Sequence, residues 1–213
     1  MSKQQAPSVS NSLIAILRGV TPDVVTSHVA ALIDAGFGLI EIPTNSPDWT
    51  LSVERARATA GTRAMIGAGT VLSQAHVDAL TWAGGQLAVT PNVDPSLIKA
   101  AVGNGLTVAA GFATATEAFA AIAAGAHMLK LFPAAPLGAG YLKALKAVLP
   151  SDIPVYAVGG MTPENLGAFL GAGCHGAGLG GELFRPGQSP SVTSQKALQY
   201  IDAFNTFHAE AVA

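Results

Sequence analysis

One pattern constrains this chain more than any other: a short β-type apolar run followed by a helical stretch, met eight times in 213 residues. The runs fall at residues 13–19, 39–43, 64–70, 87–90, 106–111, 128–132, 154–159 and 176–180. Helical stretches lie between them, at 22–35, 73–83, 95–102, 115–124, 137–148 and 163–170, and a closing helix is expected over about 192–209. Gly36, Gly84-Gly85, Gly103, Gly125 and Gly173 stand where helices should end in a left-handed turn before the next strand. Thr21-Pro22, Asp94-Pro95 and Thr162-Pro163 each read as a cap followed by proline at the first helical position. Strand then helix, repeated eight times, predicts an α/β chain closed into a (β/α)8 barrel rather than an open doubly wound sheet. No linker interrupts the repeat, so residues 1–213 are expected to form a single barrel domain, with 1–12 as a polar N-terminal extension.

Composition narrows the function classes. Half of the residues are apolar and only 11% are charged, with a net charge of −2 and no run of Lys and Arg. Nucleic acid and anionic membrane surfaces are therefore not expected partners. The first twelve residues, MSKQQAPSVSNS, lack the apolar centre of a signal peptide, and no segment approaches the ~18 uninterrupted apolar residues of a membrane span. Cys174 is the only cysteine, so no intrachain disulfide can form and a reducing cytoplasm is the expected compartment. Beside His175 it could be a reactive thiol, but its apolar neighbours favour a small buried core residue.

In such a barrel, chemistry collects where the strands end at their C-terminal side. Lys130 stands in Met128-Leu129-Lys130-Leu131-Phe132-Pro133, a strand too apolar to carry a charge without purpose. Side chains alternate along a strand, so if Leu129 and Leu131 pack on helices, Lys130 points into the barrel. A free lysine is neutral only about once in 2,500 molecules at pH 7, and apolar burial raises that fraction toward a usable nucleophile. Glu41 repeats the case in Leu39-Ile40-Glu41-Ile42-Pro43. The second and sixth strands face each other, so the two groups can converge for acid–base work, although a structural ion pair would have the same sequence pattern.

Arg18, at the end of the first run, can bind a carboxylate or phosphate, or pair with a rim acid. Thr70, after Gly67-Ala68-Gly69, offers a hydroxyl for substrate or for a helix cap. The glycine pairs Gly159-Gly160 and Gly180-Gly181 follow the seventh and eighth runs, where barrels commonly hold phosphate on backbone N–H groups. His28, His76, His127, His175 and His208 are scattered without a paired ligand motif, so no metal is expected. No glycine fingerprint follows the first run, and no cofactor is expected.

These segments together resemble the bacterial 2-keto-3-deoxy-6-phosphogluconate and -phosphogalactonate aldolases, from about Leu13 to the last helix. The resemblance is carried by Ile16-Leu17-Arg18-Gly19, Ile40-Glu41-Ile42, Ile66-Gly67-Ala68-Gly69-Thr70-Val71, Thr90-Pro91, Leu129-Lys130-Leu131-Phe132-Pro133 and Val158-Gly159-Gly160. It implies a metal-independent aldolase in which Lys130 forms a Schiff base and Glu41 moves protons. It places Arg18, Thr70 and the loop before Pro91 at the keto-acid part of a phosphorylated substrate, with the glycine pairs at its phosphate. Phe132 would keep the site apolar, pyruvate would be one product, and the assembly would be a homotrimer. The loop Ile42-Pro43-Thr44-Asn45-Ser46-Pro47 and Val158 resemble the galactonate branch, whereas the gluconate branch carries an arginine in that loop. Gly181 departs from the serine often found in the phosphate loop. The gluconate epimer, dual specificity, and a non-catalytic sugar-acid-binding barrel stand as alternatives.

Overall fold

The computed structural model describes residues 12–210. Eight parallel strands close into a barrel in the order of the chain. They are β1 (Leu13–Ile16), β2 (Leu39–Pro43), β3 (Met65–Gly69), β4 (Leu87–Val89), β5 (Thr107–Phe112), β6 (Met128–Leu131), β7 (Val155–Val158) and β8 (Gly176–Leu179). The first four strands are followed by α1 (Val25–Ala35), α2 (Trp49–Ala60), α3 (Gln74–Trp82) and α4 (Pro95–Gly103). The remaining helices are α5 (Ala115–Ala123), α6 (Ala134–Leu137), α7 (Ala139–Lys146), α8 (Pro163–Gly171) and α9 (Pro190–Glu210). The polar extension lies outside the described residues except for Ser12.

Alternation along the strands sorts the side chains into two cores. Ile40, Ile42, Leu129 and Leu131 join the larger one, between strands and helices. Ile14, Leu39, Leu87, Met128 and Tyr156 help fill the barrel itself as a separate cluster. Apolar burial on this scale is the main favourable term in folding. The inner cluster takes in Met128 and Leu39, each two positions before a charged residue on the same strand face, and so forms a floor under Lys130 and Glu41.

Local signals explain most helix boundaries. Asp94 accepts hydrogen bonds from the N–H groups of Ser96 and Leu97, and Thr162 forms a reciprocal capping box with Asn165. Three expectations need correction. Helix α1 starts at Val25 rather than at Pro22: the chain enters it through a turn in which the Thr21 carbonyl accepts from both the Val24 and Val25 N–H groups, and no side chain caps it. The left-handed glycine after α4 is Gly105, not Gly103, which remains helical. The stretch expected as one helix over 137–148 is divided at Gly138, whose φ of +83° breaks the turn between α6 and α7. Helix α2 was not among the expected helices. It buries Ser52, Val53, Ala56 and Ala60, small residues that leave little hydrophobic period to read.

Candidate active site

Lys130 and Glu41 sit on β6 and β2, opposite walls of the closed barrel. Both are almost wholly withdrawn from solvent, at 7% and 1% exposure. Among the described residues no carboxylate lies within ion-pair distance of Lys130, the two ion pairs being Arg63–Asp34 and Arg185–Glu182 at the surface. The structural ion pair that would share the sequence pattern is therefore not what the fold builds. The ammonium position is 5.1 Å from the centre of the Phe132 ring instead.

Burial dominates the electrostatics of both groups. It drives the Lys130 pKa down from its ordinary value; Glu41 opposes that shift and Arg18 adds to it. Burial raises Glu41 from 4.5 to about 7 against the attraction of Lys130 and Arg18. A low dielectric thus favours the neutral amine, and it leaves the carboxyl able to hold or release a proton near neutrality. Glu41 Oε2 receives no hydrogen bond from any described residue. Room for this carboxyl is made by Gly69, where a β-carbon would come within 1.5 Å of Oε2.

A cavity of about 380 Å³ opens over the strand ends. Arg18, Thr70, Pro91, Lys130, Phe132 and Val158 line it, as do Gly159, Gly160, Gly180 and Gly181. Glu41 is the one expected site residue that does not line it. On the β1–β3 side, Arg18 Nη1 donates to Asn45 Oδ1 at 2.7 Å and to Thr70 Oγ1 at 3.5 Å. Thr70 holds a left-handed backbone, φ +57°, unusual for a β-branched residue. Beside it, the Gly111 N–H donates to Thr90 Oγ1, and a β-carbon at Gly111 would strike the Pro91 carbonyl, so β5 presses directly on that loop.

On the β7–β8 side the wall is backbone. Gly159 and Gly160 have φ of +97° and +73°, a turn open to glycine but strained for other residues. Among the described residues, no acceptor takes the N–H of Gly159, Gly160, Gly180 or Gly181, which leaves these donors for a ligand. Glu182, at the end of the loop after the eighth run, completes this rim with Arg185 and Pro186, two residues not singled out from sequence. Arg185 donates to the Gly181 carbonyl at 2.9 Å and pairs with Glu182 at 3.2 Å, one turn beyond the glycines.

Other candidates fall away from this constellation. The Cys174 thiol is buried and its pKa is pushed up to about 12, so it stays protonated. His28 is buried under α9, its Nδ1 2.9 Å from Thr193 Oγ1. Among the described residues, no three His, Cys, Asp or Glu side chains gather closely enough to hold a metal ion.

Fold and site together define a (β/α)8 barrel with a desolvated amine at the cavity and a buried carboxyl on the strand across the barrel. The chain belongs to the KDPG and KHG aldolase family, whose profile matches residues 9–197, and it is a carbon–carbon lyase. It is 57% identical over 192 residues to the 2-dehydro-3-deoxy-6-phosphogalactonate aldolase of Escherichia coli (strain K12), covering 90% of this chain and 94% of that one. A solved native KDPGal structure superposes with a TM-score of 0.91 at 55% identity, over 93% of this chain and 96% of its own. A cube-shaped, porous cage designed by fusing symmetric oligomeric domains matches at 54% identity and TM-score 0.93, over 95% of this chain and 75% of that one.

Proposed function

We propose that the chain cleaves 2-dehydro-3-deoxy-6-phosphogalactonate reversibly to pyruvate and D-glyceraldehyde 3-phosphate through a Schiff base on Lys130. The observation that carries this reading is the buried, unpaired Lys130 amine opposite a Glu41 carboxyl raised to about 7. The amine lone pair attacks the C2 carbonyl, and loss of water leaves a protonated imine. The Glu41 carboxylate takes the C4 hydroxyl proton, through a water where needed. The C3–C4 bonding electrons then flow to the iminium nitrogen, releasing the aldehyde and leaving an enamine. The Glu41 acid returns its proton to C3, and water hydrolyses the imine to free pyruvate and Lys130.

Arg18, Thr70 and Pro91 take the keto-acid end of the substrate, while Gly159, Gly160, Gly180 and Gly181 take the phosphate through N–H groups. Phe132 shields the amine from water, and Val158 presents an apolar wall to the sugar chain. The likeness to a chain built by fusing symmetric oligomeric domains supports a symmetric homo-oligomer, and the assembly proposed is a homotrimer. No described helix is long and apolar enough to cross a membrane, which fits the proposed cytoplasmic setting.

Borohydride reduction in the presence of pyruvate, followed by peptide mapping, should place one reduced adduct on Lys130. An adduct elsewhere, or none, overturns the assignment. Turnover of the two C4 epimers then fixes the sugar: faster cleavage of the gluconate epimer would replace galactonate as the substrate, and equal rates would make the enzyme dual-specific.

A further inference from the structure

Three consecutive residues after β2 bond the cavity-lining Arg18 and Thr70 or the residue next to Arg18. Thr44 Oγ1 donates to the Thr70 carbonyl at 2.7 Å, and the Thr44 N–H donates to the Gly69 carbonyl at 2.8 Å. Asn45 Oδ1 accepts from Arg18 Nη1 at 2.7 Å. Ser46 Oγ, buried, accepts from the Gly19 N–H at 2.9 Å. We propose that Thr44-Asn45-Ser46 is a positioning brace that holds Arg18 and Thr70 together as one clamp for the substrate carboxylate, with Asn45 setting its affinity. This rests on the Schiff-base reading above.

The physical case has three parts. Arg18 is an exposed, flexible side chain beside the cavity, and freezing such a chain on binding costs affinity unless it is already held. Asn45 holds it with a neutral amide oxygen, so the guanidinium keeps its full charge for a carboxylate. Thr70 stands in a left-handed backbone that a β-branched residue adopts only when its surroundings over-determine it. The two bonds from Thr44 do so, and they bring Thr70 Oγ1 to 3.5 Å from the same Arg18 nitrogen. Asn45 and Thr44 act through Arg18 and Thr70, and are positioning residues.

The test compares imine formation, by borohydride trapping rate, on pyruvate and on methyl pyruvate, whose ester carries no charge. Asn45→Ala should raise the half-saturating pyruvate concentration about fivefold to tenfold and leave methyl pyruvate within about twofold. Asn45→Asp should weaken pyruvate as well, because its carboxylate keeps the bond but neutralises the guanidinium. Thr44→Val should show the same acid-selective loss, and Thr44→Ser should restore wild-type behaviour. Equal losses on acid and ester, or no loss in any variant, would overturn the brace. Failure of the wild type to trap either compound would instead overturn the Schiff-base reading beneath it.

Discussion

The two walls of the cavity present their polar groups by different means. The β1–β3 wall uses side chains, Arg18 and Thr70, whose positions are set by other side chains. The β7–β8 wall uses the backbone of glycines, whose positions are set by φ angles and close approach. A side chain on the rim can change without disturbing the barrel. A backbone donor cannot, because its geometry is also the geometry of the fold. Affinity and stability should thus be separable on the first wall and coupled on the second.

The largest effect should come from the group that both walls serve. Lys130→Met should lower cleavage at least about a thousandfold in a steady-state assay while the protein still folds. Glu41→Gln should cost about a hundredfold to ten-thousandfold in turnover and remove the rising limb of kcat/KM near pH 7. The same variant should raise stability at high pH. The folded pKa of Glu41, about 7, lies above the ordinary 4.5, so its contribution is whole below about pH 4.5 and is lost as pH rises through 7. Denaturant titration at pH 8 should find Glu41→Gln more stable by about 1–3 kcal/mol, and a less stable variant would contradict the buried-acid account.

Next come the paired tests of the two walls. Gly160→Ala meets a φ of +73° and the Ala135 β-carbon at 2.7 Å. It should raise KM for the phosphorylated substrate about tenfold and cost about 1–2 kcal/mol of stability together. Arg18→Ala, at an exposed side chain, should raise KM by a similar factor with an unchanged melting temperature. If both variants melt early, or neither does, the contrast between the walls fails. The smallest effect is a gain. Gly181 has nothing within 4 Å of an added β-carbon and no positive φ, so Gly181→Ser should fold normally and lower KM about threefold through one new hydroxyl bond.

What could be read from the sequence follows the same division. Period-two alternation placed Lys130 and Glu41 inward, because one polar residue in an apolar strand stands out without any partner being known. The glycine pairs were visible because backbone conformation is written in residue type. Asn45 and Arg18 are 27 positions apart, and nothing local announces that they bond. Arg185 was hidden by an ordinary rim composition, and α2 by its buried alanines and serine. The role of Gly69 was equally hidden, since a glycine that ends a strand looks the same whether it makes a turn or makes room.

That last glycine ties together two places in the chain that are otherwise free to drift. Because the Glu41 carboxyl occupies the volume a side chain at 69 would need, the two positions are sterically coupled. Any side chain at 69, on the neighbouring strand, would push the carboxyl from the position that it holds here. The carboxyl is the far end of a flexible side chain and can give way, but it would then leave the place from which the proposed proton transfer works. The size of residue 69 thus sets where this barrel can hold its acid.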